Sequence, residues 1–540
     1  MKITFFGAAR GVTGSCHMIE TKDRKFLVDC GLFQGTLTEQ ILNYEEFPFN
    51  ISDIDFVILT HAHIDHSGRI PKLYTSGYKN PVYATKATCE LSEIMLPDSG
   101  HIQEKEIEWV NRKRLRAGKR PEDPIYTAQD AIDSCSLLEQ MEYGEMKHID
   151  ENLMFRFIDA GHMLGSAIVE IWITEDGKTE KIVFSGDLGN DENPIIRSPE
   201  VIEDADYLIL ESTYGGRLHG EIKDQSKEFI DIILNTIERG GNVVIPSFAV
   251  GRTQEILFEL NKYVENSAEY MERLSNIPVV VDSPLATNAT EVFQNNQQCY
   301  NDDALNYVLH GDNPMKFKNL WFTASAEESR ELNEDKRPKI IISASGMCEA
   351  GRIKHHLKWN LWRPESTILF VGYQAEGTLG RRLVTGEKIV KIFGEEIGVN
   401  AEIKYLDAFS GHADQNGLLN WIEKIENKPK NIFLVHGEYE GQMLLASAIK
   451  NKFDIDCIIP ERNDTYEIVG DTINKGRFNF TNVNLRLQVH ELLSYLKQDM
   501  DSMSNVVKLE MKQGATEEDL YKIKSMLDDL REQIIKLKNG

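Results

Sequence analysis

Four metal-capable side chains crowd into six residues, His61-Ala-His63-Ile-Asp65-His66, directly after the apolar run Phe56-Val57-Ile58-Leu59. This spacing constrains the fold. A buried strand must end there and open into a loop that brings the side chains together. Neutral imidazole and carboxylate are donors that suit zinc. The alternation His61-x-His63 lets two ligands meet one ion. Asp65 and His66 then turn away, far enough to serve a second ion. A solvated polar loop would have to collect all four side chains by chance.

The same phase recurs along the chain. Met154-Phe-Arg-Phe-Ile158 reads as a strand and precedes Asp159-Ala-Gly-His162. Lys181-Ile-Val-Phe184 precedes Ser185-Gly-Asp187, and Asn431-Ile-Phe-Leu-Val435 precedes His436-Gly-Glu438. Each polar group sits at the C-terminal end of an apolar run, the edge where open α/β sheets collect their ligands. One histidine after a strand is an ordinary loop residue, but three polar groups in the same phase point to a site.

Between Tyr207-Leu-Ile-Leu210 and Asn431 the strand–helix alternation changes rhythm. Asn242-Val-Val-Ile-Pro246, Pro278-Val-Val-Val281, Lys339-Ile-Ile-Ile342 and Thr367-Ile-Leu-Phe-Val371 are short, continuous apolar runs. Helical patterns separate them, such as Ser226 to Glu238 and Thr253 to Val264. That alternation predicts a parallel sheet covered on both faces. Three Gly-Arg pairs follow these runs: Gly251-Arg252, Gly351-Arg352 and Gly380-Arg381. Glycine permits close backbone approach, a helix N-terminus offers free N–H groups to an anion, and arginine adds a bidentate phosphate fork. Any one pair reads as a turn with a solvated charge; together they predict a phosphate-tracking groove.

The histidine and aspartate set resembles the metallo-β-lactamase fold family. The resemblance implies His61, His63 and His162 as ligands of a first metal, and Asp65, His66 and His436 as ligands of a second. It makes Asp187 the bridging carboxylate and Asp29, after Lys25-Phe-Leu-Val28, a supporting aspartate. It also implies two zinc ions that deprotonate a bridging water, the nucleophile. Glu211-Ser-Thr-Tyr-Gly215, followed far downstream by Phe409-Ser-Gly-His412-Ala-Asp414, resembles the β-CASP subfamily of nucleic-acid-processing enzymes. Further agreement lies in Ser247-Phe-Ala-Val-Gly-Arg-Thr-Gln-Glu255, Asp282-Ser-Pro-Leu-Ala286, Ser343-Ala-Ser-Gly-Met347 and Val371-Gly-Tyr-Gln-Ala-Glu-Gly-Thr-Leu-Gly-Arg381. These are similar to the branch that holds the pre-mRNA cleavage and polyadenylation endonuclease with its bacterial and archaeal relatives, and less similar to RNase J. The implied function is an endoribonuclease. His412 is its general acid, oriented by Glu211, and Arg252, Ser345, Arg352 and Arg381 meet RNA phosphates. Gly411 departs from the alanine common in that branch, and Cys348 follows Met347.

The expected fold class is α/β: a metallo-β-lactamase αββα sandwich with an inserted β-CASP α/β domain and a helical C-terminal extension. The expected spans are 1–212 and 376–480 for the two parts of the lactamase domain, the second with the RNA-specificity region. The insertion is 213–375 and the extension 481–540. In that extension Leu520, Ile523, Leu527, Leu530, Ile534 and Leu537 follow coiled-coil-like spacing. They serve either as a packing face of their own domain or as a helical hairpin that forms a homodimer seam or binds a partner. Seven cysteines, odd in number and without CxxC spacing, fit a reducing cytoplasm, and no early apolar segment approaches a membrane span. The net charge of −26 opposes long-range RNA capture, so binding must rest on a local basic groove and the metals. A DNA nuclease, a 5′ exoribonuclease, a metallohydrolase of other substrates and a non-catalytic scaffold subunit are the alternative readings.

Overall fold

Each apolar run that precedes a ligand forms a strand in the computed structural model. The structure describes residues 1–478 apart from 192, 219–221, 267–269, 373, 375–376, 407–410 and 471. The seam expected over residues 481–540 lies outside the described residues.

Two mixed sheets face each other. The first has eight strands; its central order runs Lys2–Phe5, His17–Glu20, Lys25–Val28, Phe56–Ile58, Val82–Thr85. The second has seven, with Asn431–Val435, Tyr207–Glu211, Lys178–Phe184, Ala167–Glu175 and Leu153–Asp159 side by side. Phe5, Phe26, Phe56 and Ile58 of the first sheet meet Phe155, Phe157, Val169 and Phe184 of the second in one core. The intervening residues point the other way. Leu27 and Val57 pack with Ile70 and Leu73 of the helix Ile70–Thr75, and Leu208, Leu210 and Leu434 pack with Leu418, Trp421 and Leu445 of the helices Gln415–Lys424 and Tyr439–Phe453. Both faces of the central strands Lys25–Val28, Phe56–Ile58, Tyr207–Glu211 and Asn431–Val435 are therefore buried. This is why the runs read as continuously apolar instead of alternating.

The insertion is a third sheet of six strands, ordered Leu320–Phe322, Val279–Val281, Ile340–Ser343, Val243–Pro246, Thr367–Phe370, Glu402–Tyr405, all parallel. It continues past residue 375. Glu402–Tyr405 is its edge strand, and the helix Leu379–Val384 and the hairpin of Ile389–Ile392 with Glu395–Gly398 pack on the same core as Val244 and Phe370. The edge strand is half exposed, so it lacks the apolar run that marks its neighbours. Ala249 and Val250 of the insertion share a core with Ala62, Met163 and Leu164 of the ligand-bearing loops.

Two glycines allow these loops to close. A Cβ on Gly31 would stand 1.6 Å from the Asp65 carbonyl oxygen, and one on Gly189 would stand 1.7 Å from that of Gly161. Neither neighbour is a flexible side-chain end, so backbone must move. Gly31→Ala and Gly189→Ala should each destabilise the fold by about 1–3 kcal/mol. The measurement is the denaturant midpoint at unchanged slope. Gly11→Ala, with nothing within 4 Å, should leave it in place.

Candidate metal centre

Five ligand-bearing segments end at one point. His61 and His63 follow Phe56–Ile58, Asp65 and His66 lie in the short helix Ile64–Ser67, and His162, Asp187 and His436 each follow a strand. The ligand atoms of His61, His63, His162 and Asp187 lie within 4.8 Å of one another, as do those of Asp65, His66 and His436. His63 Nδ1 is 3.1 Å from both His61 Nε2 and His162 Nε2. The Asp187 carboxylate divides its oxygens between the two sets. Oδ2 faces His61 Nε2 at 3.4 Å and His162 Nε2 at 3.6 Å, while Oδ1 faces His66 Nε2 at 3.4 Å and His436 Nδ1 at 3.5 Å. His436 Nε2 is 3.3 Å from Asp65 Oδ2.

The imidazoles are aimed by the groups behind them. Asp29 lies at φ +63° and accepts from the Thr60 N–H at 2.8 Å and the Thr60 hydroxyl at 3.0 Å. Its Oδ2 is 2.7 Å from His66 Nδ1, which must donate to a carboxylate and so leaves Nε2 to bind. The Thr60 hydroxyl also lies 3.0 Å from His61 Nδ1. His162 Nδ1 donates to the Gly411 carbonyl at 2.9 Å. A Cβ on Gly411 would come within 3.3 Å of the His162 ring, so glycine leaves the imidazole more room than alanine would. Thr213 Oγ1 is 3.0 Å from His436 Nδ1.

Electrostatics prepares the set for a cation. Burial, then the neighbouring His66, pushes His61 down to about 3. Burial brings His63 down to about 4 against the pull of Asp65 and Asp187, and His162 is lowered by burial and by His412. These three are neutral, the form that ligates. Burial opposes the charge on Asp187, but His436, His66 and His61 outweigh it and hold the carboxylate ionised. Its buried Oδ1 makes no hydrogen bond among the described residues, and an orphaned buried acceptor calls for an ion or a water. The donor set and this orphan atom fit a metal.

A second pair stands beside it. Glu211 is fully buried and accepts from the Leu188 N–H at 2.8 Å and the Thr213 N–H at 3.2 Å. Its Oε1 is 3.1 Å from His412 Nδ1. Burial lowers the His412 pKa, but the charge and hydrogen bond of Glu211 prevail and raise it to about 9. The ring stays one-fifth exposed and lies 4.4 Å from that of His162, centroid to centroid.

The expected phosphate residues fare differently. All follow strands at the C-terminal edge of the inserted sheet. Arg352 is held inward: its Nη1 donates to Asp282 at 2.6 Å and to Thr323 Oγ1 at 3.0 Å. Asp282 is fully buried and also accepts from Ser329 at 2.6 Å and His356 at 2.5 Å. Arg252 donates to the Val371 carbonyl at 2.6 Å and pairs with Glu255 at 3.1 Å. Ser345 Oγ lies 3.3 Å from the Ala350 carbonyl, and Arg381 is exposed in the helix Leu379–Val384. Thr60, Thr213 and the Gly411 carbonyl were not singled out from the sequence; their adjacency to His61, Glu211 and His412 was the available signal.

Comparison with known families agrees with this geometry. Residues 9–128 match the Metallo-beta-lactamase superfamily, 253–383 the Beta-Casp domain, and 396–460 the Zn-dependent metallo-hydrolase RNA specificity domain. Ribonuclease TTHA0252 of Thermus thermophilus is 37% identical over 449 residues, covering 83% of this chain and 96% of that protein. The chain belongs to the β-CASP ribonuclease family. This β-CASP metallo-hydrolase is also 31% identical to the transcription termination factor FttA of Methanothermobacter thermautotrophicus, over 86% of this chain and 72% of that one. The RNase J-like protein of Methanocaldococcus jannaschii is 34% identical over 85% of this chain and 98% of its own length.

Asp29 tests how far the surrounding groups control the centre. Asp29→Ala removes the acceptor of His66 and the anchor of Thr60. Zinc affinity, measured by competition with a chelator, should fall about 10–100-fold, with the fold retained by circular dichroism.

Proposed function

We propose that the chain is a dinuclear zinc phosphodiesterase that hydrolyses single-stranded RNA, acting as an endoribonuclease. The observation that carries this reading is the division of the Asp187 oxygens between two ligand sets, beside a Glu211–His412 pair that belongs to neither. His61, His63 and His162 would hold one ion, Asp65, His66 and His436 the other, with Asp187 shared. When bound, zinc lowers the pKa of water and offsets charge on a phosphoryl oxygen.

The chain's own residues supply the rest. His412, its pKa raised by the charge and hydrogen bond of Glu211 and its ring one-fifth exposed, protonates the leaving oxygen. Glu211, accepting from Nδ1, fixes its direction. Arg381 meets backbone phosphate directly. Arg352, held by Asp282, and Arg252, held by Val371 and Glu255, present fixed positive charge at the groove, and Ser345 lies on the same edge. The names of the relatives, a ribonuclease and a transcription termination factor, support RNA as the substrate. We place the protein in the cytoplasm, where its seven free cysteines stay reduced. We also propose that residues 481–540 pair two copies. Removing them should leave zinc content intact and lower the mass in solution by light scattering.

Elemental analysis should find two zinc ions per chain, and removing them should abolish cleavage. Asp187→Ala should lose both metal and activity. His412→Ala should keep the metal and lose about 10²–10⁴-fold in rate; loss of zinc equal to that of Asp187→Ala would remove the general acid from this reading. Circular RNA should be cut as readily as end-labelled linear RNA, and an uncut circle would make the enzyme an exonuclease.

The arginines separate by a second measurement. Arg381→Ala should flatten the dependence of log affinity on log salt by about 0.7 at unchanged stability. Arg352→Ala should also lower the melting temperature, because it takes a charged donor from buried Asp282.

A further inference from the structure

The helix Lys86–Arg116 runs 31 residues, about 45 Å at 1.5 Å per residue, and its two ends differ in character. At its start the hydroxyls of Thr85 and Thr88 donate to the Gly165 carbonyl, close after His162. Ala87 and Leu91 share a core with Ala62 and Met163. Lys86 donates to Asn296 of the insertion and Asn296 donates to Glu90, so the first turns of the helix border the inserted domain, and Glu106 farther along feels the charge of Lys354. Beyond Gly100 it is mostly exposed.

This outer half ends in concentrated positive charge. Residues 111–120 hold six basic side chains and no acidic one, in a chain of net charge −26. Arg114 is committed to structure: it donates to the Arg120 carbonyl at 2.8 Å and pairs with Glu122 at 2.7 Å. Asn111 clamps the Glu122 backbone in both directions at 2.8 Å. These contacts fold the following loop back on the helix and bring Lys119 and Arg120 beside its last turn. Arg112 pairs with Glu108 at 2.6 Å on an exposed face, where solvent makes such a pair easy to exchange. Among the described residues, Lys113, Arg116, Lys119 and Arg120 form no ion pair. The Lys113 ammonium sits 3.3 Å from the Trp109 ring centroid, and Trp109 is 59% exposed.

We propose that this tip anchors the phosphate backbone of single-stranded RNA outside the catalytic cleft, with Trp109 as a stacking surface for one base. The proposal rests on the ribonuclease reading above. Four uncompensated cations within residues 113–120, one of them over an exposed indole, match the two recurring parts of single-strand recognition, a basic track and an aromatic platform. Because the rest of the molecule repels polyanions, the strand must be held locally. An acidic protein segment would use the cations but has no need of the indole.

The test is binding of hydrolysis-resistant, end-labelled phosphorothioate RNA to the zinc-loaded protein, read by fluorescence anisotropy with strands of ~5 and ~20 nucleotides. The wild type should bind the longer strand more tightly. In the variant K113Q/R116Q/K119Q/R120Q that gain should shrink at least ~10-fold, and the salt slope should fall by about 2–3, at about 0.7 per phosphate contact. Trp109→Ala alone should cost ~5-fold or more on the longer strand. An unchanged gain and slope at a matched melting temperature would overturn the proposal. So would a polyglutamate peptide of equal charge binding the wild type as tightly as the RNA. Since binding is read without cleavage, a protein that grips long RNA here yet never hydrolyses it would sink the ribonuclease reading alone.

Discussion

Asp187 gives one carboxylate oxygen to His61 and His162 and the other to His66 and His436. A buried carboxylate is costly unless polar partners or positive charge meet it, and here four imidazoles from three separate parts of the chain face it. That demand fixes the architecture around it. The strand Lys178–Phe184 must deliver Asp187 at the level where Phe56–Ile58 delivers His61 and where Asn431–Val435 delivers His436. The two facing sheets, with Phe56 against Phe155 at 6.1 Å between ring centroids, hold those strand ends in place. Asp29, Thr60, Gly411 and Thr213 then set the rotation of each ring. The rigidity of the centre comes from the sandwich and its direction from these short polar contacts.

The inserted domain brings a different kind of electrostatics. Its charged residues point largely at one another: Arg352 at Asp282, Arg252 at Glu255 and the Val371 carbonyl. A guanidinium anchored in this way loses little conformational freedom when a phosphate approaches. Its field at the groove is partly cancelled by its own partner. Arg381, exposed in its short helix, has the opposite balance.

Much of this was legible in the sequence. The ligands follow apolar runs directly, so a strand end and a metal-capable side chain could be read together at His61, His162, Asp187 and His436. The parallel inserted sheet was legible because both of its faces are covered, which leaves unbroken apolar runs such as Val243–Pro246. Its true extent was not. Glu402–Tyr405 is a half-exposed edge strand that joins through hydrogen bonds to Thr367–Phe370, and backbone pairing leaves no trace in composition. The anchoring of Arg352 and Arg252 was hidden for a related reason. Asp282 and Val371 reach them only through the strand order of the sheet, and apolar patterning marks strands without ordering them. Thr60 and the Gly411 carbonyl act through one hydroxyl and one backbone oxygen, groups that occur everywhere in a sequence.

The hydrogen-bonded neighbours Tyr207–Glu211 and Asn431–Val435 run parallel and in register, yet Thr213 and His436, in contact just beyond them, are 223 residues apart in sequence. In equilibrium terms such a detour costs little, since each doubling of a loop adds only about 0.6 kcal/mol. In kinetic terms it imposes an order. Six of the seven candidate ligands are synthesised before the inserted sheet begins, and His436 emerges only after that sheet is complete. The centre therefore closes last, and long-range pairing of this kind is intrinsically slow to form. Until then the newborn lactamase half carries an open edge along Tyr207–Glu211, the place where a folding chain of this design is most exposed to mispairing.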